Sequence, residues 1–144
     1  MLRRIVSYFL IGAAIAGIMY LTLMGTGGTI TLSEWFRNVL NTICADFGLD
    51  VSAAWWNSKE GVRLLGHIIE YLFLGVIAGI CINRKWQGIF ICAAVSLADQ
   101  TVKIFVPGRH FDNGDFLFDV IGYLSGLLTG WFIACLFNIH RGNT

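Results

Sequence analysis

His67, Glu70 and Tyr71 stand at i, i+3 and i+4 in the stretch RLLGHIIEYLFLG, and Asp99 and Lys103 at i and i+4 in LADQTVKIF. On helices, each set shares one face. A little further on, FVPGRHFDNGDFLFD gathers Arg109, Asp112, Asp115 and Asp119 around the chain's only proline. A carboxylate beside an imidazole can move a proton, and arginine or lysine can bind phosphate or carboxylate. His67, Glu70, Asp99 and Asp119 could also gather a divalent metal. No second histidine falls at ligand spacing, however, and acids alone select poorly among metals, so no metal or cofactor is expected. Nucleophile elbow, HExxH and phosphate-binding loop are all missing.

Around these groups the chain is nearly all hydrocarbon. Of its 144 residues, 56% are hydrophobic and 13% charged, where soluble domains carry about a quarter charged. Four apolar stretches reach the roughly 20 residues that cross a bilayer: Ile5–Met24, Val62–Ile82, Gln87–Val106 and Phe118–Phe137. The sequence therefore predicts an all-α integral membrane protein, a single domain over residues 1–144 with four transmembrane helices. A net charge of +1 and the lack of basic runs interleaved with aromatics offer nothing to nucleic acid. Cys44, Cys81, Cys92 and Cys135 show no CxxC spacing, so neither a zinc knuckle nor a disulfide framework is indicated. The basic start MLRRIV opens a run longer than a signal core, without a clear cleavage site. It reads as a retained first helix.

When four helices are counted, Arg3, Arg4, Arg84, Lys85 and Arg141 fall on one side. The positive-inside rule then puts both termini in the cytoplasm. Residues 25–61 become a long outer loop, opened by the flexible GTGGT. Within it Leu32, Trp35, Phe36, Val39, Leu40, Ile43 and Phe47 recur at helical spacing opposite a polar face. This predicts an extracytoplasmic amphipathic helix over about 32–47, begun by Thr31 or Ser33 and stopped near Gly48. Too polar to span, it either anchors in the interface, with Trp55 and Trp56 as an aromatic belt, or covers the bundle as a lid. Gly75 and Gly79, and Gly122, Gly126 and Gly130, mark faces where helices can approach closely.

Depth follows from counting 1.5 Å per residue from the cytoplasmic ends. Glu70 and Asp99 come out roughly 20 Å up a core about 30 Å thick. His67, Lys103, Asp115 and Asp119 lie at that height or above it, and the acids over the glycine stripe should face the interior. Ionisable groups at such depth cost a few kcal/mol unless paired or hydrated, and are functional by default. They predict a polar pocket open to the outer leaflet, formed by His67, Glu70, Tyr71, Asp99, Gln100, Lys103, Arg109, Asp115 and Asp119. The structural alternatives are Asp115 as N-cap of the fourth helix, Asp99–Lys103 as a simple pair, and Arg109 as a headgroup anchor. His110 and Asp112 read as ordinary loop residues.

The same residues resemble the VanZ-like family of bacterial membrane proteins. Its HxxxY pattern appears as HIIEY, its DExxQxFxPGR as DQTVKIFVPGR and its acidic helix start ending DxxG as DFLFDVIG. The resemblance covers residues 64 to about 130. Gln100 replaces the pattern's glutamate, Lys103 its glutamine, and Val102 a frequent histidine. The first change removes a base or metal ligand if the family uses one, and Lys103 adds a cation suited to an anionic ligand. The family is named for a protein that lowers susceptibility to teicoplanin. The resemblance thus implies a cytoplasmic-membrane location and an envelope or resistance role, not a reaction. The leading reading is a pocket that binds an anionic amphiphile: a lipid headgroup, a lipid-linked wall precursor or a lipoglycopeptide. An enzyme acting on a lipid-linked substrate through His67, Glu70 and Asp99 is the second reading. A scaffold or oligomer whose polar groups specify helix pairing is the third.

Overall fold

Two helices in near-continuity open the chain: α1, Leu2–Leu23, and α2, Thr26–Asp46. They are followed by a 3-10 turn at Trp55–Asn57, then α3 (Lys59–Cys81), α4 (Lys85–Lys103) and α5 (Asn113–Leu136). The structure is a computed structural model that describes residues 2–24, 26–51 and 54–137, without the side chains of residues 2–4 and 26. Arg141, and the side chains of Arg3 and Arg4 on which the cytoplasmic assignment leans, lie outside the described residues. No strand occurs among those described.

Helices α1, α3 and α5 are long and apolar enough to cross a membrane, over Ile5–Leu23, Lys59–Cys81 and Asn113–Leu136. Helix α4 has spanning length at 19 residues, but it carries Gln87, Ser96, Asp99, Gln100 and Lys103.

The ends of the helices differ from those the apolar runs predict, because capping chemistry sets them. Helix α3 starts where the Ser58 hydroxyl accepts from the Gly61 N–H at 2.9 Å. Helix α5 starts where the Asp112 carboxylate accepts from the Gly114 N–H at 2.8 Å. Asp112, not Asp115, is therefore the N-cap, and Asn113-Gly114 opens the first helical turn. Helix α4 ends at Lys103, short of the expected Val106: Pro107 has no N–H to give the Lys103 carbonyl, and the chain leaves through i→i+3 bonds from Phe105 and Val106. Helix α2 begins at Thr26, so part of the glycine-rich stretch is helical where a flexible start was expected. It ends as anticipated, with Gly48 at φ 71° and the Leu49 N–H bonded back to the Cys44 carbonyl at 3.0 Å.

Helices α3 and α5 pack in parallel. Arg63 near the start of α3 meets Asp112 and Asp115 at the start of α5, and Gly75 and Gly79 lie on Gly126 and Gly130 deeper down. A Cβ added to Gly126 would sit 2.2 Å from the Leu72 carbonyl oxygen. Only glycine lets the backbones come this close. Helix α4 runs antiparallel to both, with Gly88 beside Leu127 at one end and Lys103 beside Asp115 at the other. Between the helices pack Ile18, Tyr71, Leu74, Cys92, Val95 and Leu127.

Polarity is turned inside out relative to a soluble domain. Thr22, Ser96, Asp99, Gln100, Lys103, Asp115 and Asp119 are buried, while Phe9, Phe73, Phe90, Phe105 and Phe132 face outward. Lipid accepts such a surface and water does not.

Candidate functional site

The parallel run of α3 and α5 brings their N-terminal ends together, and α4 ends between them. Asp119 of α5 is fully buried. One of its oxygens is 2.8 Å from His67 Nδ1; the other accepts from Ser96 Oγ at 3.0 Å and Gln100 Nε2 at 3.2 Å. His67 Nε2 lies 3.2 Å from Asp115 Oδ2. An imidazolium, with an N–H on both nitrogens, can donate to both carboxylates, whereas a neutral ring can donate to one and accept at its other nitrogen, as from Lys103 Nζ at 3.3 Å.

Lys103 Nζ is the other centre of charge. It lies 3.1 Å from Asp99 Oδ2, 3.2 Å from Asp115 Oδ2 and 3.3 Å from His67 Nε2. The second Asp99 oxygen accepts from the Thr22 hydroxyl of α1. Arg63 closes the outer side, with Nη2 2.8 Å from Asp112 Oδ2 and Nε 3.3 Å from Asp115 Oδ1. Arg109, on the segment after α4, rests on neutral acceptors. It donates to the Thr22 carbonyl at 3.1 Å and to the Thr29 hydroxyl.

Two cavities open beside this network. The first, about 210 Å³, has an apolar wall from three helices: Leu21 of α1, Leu32, Trp35 and Phe36 of α2, and Val62 and Ile69 of α3. Its polar lining is Thr22, Thr29, Ser33, Arg63, His67, Glu70, Asp99, Lys103 and Arg109. The second, about 220 Å³, lies against Thr29, Arg63, His67, Lys103, Arg109, His110, Asp112 and Asp115. Glu70 lines only the first. It is half-buried and makes no hydrogen bond or ion pair among the described residues.

The structure thus brings His67, Asp99, Gln100, Lys103, Asp115 and Asp119 into one network, with Glu70 and Arg109 in the adjoining cavity. Gln100 supports Asp119 from behind and reaches neither cavity. Tyr71 is fully buried in the core and lines neither. Asp112, expected as a loop residue, caps α5 and pairs with Arg63. Arg63 itself was missed, although it stands at i−4 from His67 and i−7 from Glu70, on the face already singled out. Ser96, one turn before Asp99 and Gln100, carried the same signal. Thr22 carried almost none, being one hydroxyl near the end of an apolar run.

His67, Asp99 and Asp119 each place a ligand atom within 4.8 Å of the others. A divalent ion gathered there would meet the Lys103 ammonium, 3.1 Å from Asp99 and 3.3 Å from His67. A fixed cation already neutralises these acids, and like charges repel. With Lys103 charged, the donor set does not suit a metal.

Apolar helices enclosing a buried charge network at one end define an all-helical membrane protein. A sequence model of the VanZ/LLP1 family matches residues 9–138, nearly the whole chain, and the chain belongs to that family. Searches of curated proteins and of solved structures found no match.

Proposed function

We propose that the chain is a four-span protein of the bacterial cytoplasmic membrane, termini inside, whose outer-leaflet pocket receives the anionic head of an amphiphile. The observation that carries this is the cavity of about 210 Å³, apolar on one wall and lined by Arg63, Lys103 and Arg109 on the other. Ligands of drug size fill roughly 300–1,000 Å³. This volume suits a head whose tail stays outside. Arg109 spends its bonds on a carbonyl and a hydroxyl, so its charge stays available to phosphate or carboxylate. Leu32, Trp35 and Phe36 of α2 line the cavity, which supports α2 as its extracytoplasmic cover.

The parallel packing of α3 and α5 supports the fourth span. A chain that leaves α3 at one end and enters α5 at the other must recross the same thickness. Helix α4, 19 residues long, supplies about 28 Å against a core of about 30 Å. A lipid headgroup, a lipid-linked wall precursor and a lipoglycopeptide all fit this chemistry. Protection against teicoplanin would follow from handling any of them.

The test is lipid retention through purification in mild detergent. Arg109→Gln removes a charge-assisted contact of about 1.5–3 kcal/mol and should lower retained phosphate-bearing lipid about tenfold or more. Unchanged retention, with unchanged teicoplanin susceptibility of cells, sinks the reading.

A further inference from the structure

A charge count around the pocket separates two groups from the rest. Asp99, Asp115 and Asp119 stand against Lys103, Arg63 and the imidazolium of His67, in pairs at 3.1, 3.3 and 2.8 Å. Asp112 shares Arg63 at 2.8 Å and keeps 27% of its side chain exposed, so water screens what remains of its charge. The network therefore sets four acids against three cations, with its surplus negative charge on the part-exposed Asp112. Glu70 and Arg109 are left over.

These two come from different elements, α3 and the segment after α4, and both line the cavity of about 210 Å³. They are not paired with each other. Glu70 has no bonding partner among the described residues, and Arg109 has only the Thr22 carbonyl and the Thr29 hydroxyl. Glu70 lies in the field of His67 and Lys103 but bonds neither, and leaving a carboxylate and a guanidinium partly desolvated without a direct partner costs free energy that occupancy can return. A head with an anionic group alone would satisfy Arg109 and leave Glu70 without a partner. A purely cationic head would do the reverse, and an uncharged one would leave both unmatched.

We infer that the head this pocket takes is a zwitterion, with its phosphate or carboxylate on Arg109 and its ammonium on Glu70, carried on an acyl tail. The inference rests on the amphiphile pocket proposed above and narrows its ligand class: the head keeps its anionic group on Arg109 and carries an ammonium besides. Glu70 becomes the specificity-determining residue. An ammonium donates N–H bonds directly to the carboxylate, and such charge-assisted bonds are about twice as strong as neutral ones. The acyl tail follows from the wall. Leu32, Phe36 and Val62 offer the head's flank nothing polar, and the largely apolar Trp35 beside them is 60% exposed.

The experiment titrates full-length purified protein with phosphatidylethanolamine and phosphatidylglycerol of identical acyl chains, read by native mass spectrometry. The wild type should bind the ethanolamine lipid at least tenfold more tightly. Glu70→Gln should erase that preference by weakening ethanolamine lipid alone, and Arg109→Gln should weaken both lipids. Equal binding of the two by the wild type overturns the zwitterion and leaves the pocket standing; binding of neither overturns both. Soluble glycerophosphoethanolamine at the same concentration should leave the lipid bound, and displacement would overturn the acyl source. The wild-type comparison needs no variant, so a poorly folded Glu70→Gln does not remove the test.

Discussion

Lys103 determines what the buried acids of this protein can be. Its ammonium touches Asp99 and Asp115 together and is 4% exposed. Lys103→Met leaves Asp99 without a counter-ion in a medium that cannot solvate it, and leaves Asp115 to Arg63 and His67 alone. Breaking a buried ion pair in this way costs about 3–5 kcal/mol. Thermal unfolding in detergent should show a large drop for Lys103→Met and partial recovery for Lys103→Met with Asp99→Asn. A single variant that melts with the wild type would show that the ammonium is not the neutralising group. The Asp99–Lys103 pair was legible from i, i+4 spacing alone. That Lys103 also serves Asp115 was not, because that contact crosses between helices.

At the scale of elements, the contact between α3 and α5 holds the site together. The two acids of α5 sit directly above its glycine stripe, so the closeness of the backbones fixes how far Asp119 lies from His67. Gly126→Ala puts a methyl group 2.2 Å from the Leu72 carbonyl oxygen. Overpacking of this kind costs about 1–3 kcal/mol, here against rigid backbone. Gly12→Ala, with nothing within 4 Å of the added carbon, is the control. It should leave the melting temperature unchanged or slightly raised, since alanine favours a helix by about 1 kcal/mol over glycine. A Gly126→Ala protein as stable as Gly12→Ala would mean that the α3–α5 contact is looser than described. The glycine spacing announced these faces in the sequence, whereas the caps at Ser58 and Asp112 lay outside the apolar runs used to place the helices.

Over the whole molecule, direction is the central property. Helices α3 and α5 start at the same end, and α4 returns between them, with Asp99, Gln100 and Lys103 turned inward. Its lower hydropathy comes largely from that inner face, since Ile89, Phe90 and Leu97 point outward. Labelling with a membrane-impermeant maleimide tests the proposed four crossings. In a background with the four native cysteines replaced, His110→Cys should label in intact cells and Asn83→Cys only after permeabilisation; both positions are exposed. Labelling of both from outside would exclude α4 as a span.

Sequence by itself determined that the chain is helical and membrane-bound, where its close-packing faces lie and which acids turn inward. Those properties follow from a 3.6-residue period and a run of about 20 apolar residues, both local along the chain. Tertiary structure decided the pairing. Arg63 meets Asp112 across 49 residues and His67 meets Asp119 across 52. Periodicity gives the direction in which a side chain leaves its helix, but not which helix stands opposite. Only the paired network shows that Glu70 and Arg109 stand outside it, each without an ion pair among the described residues.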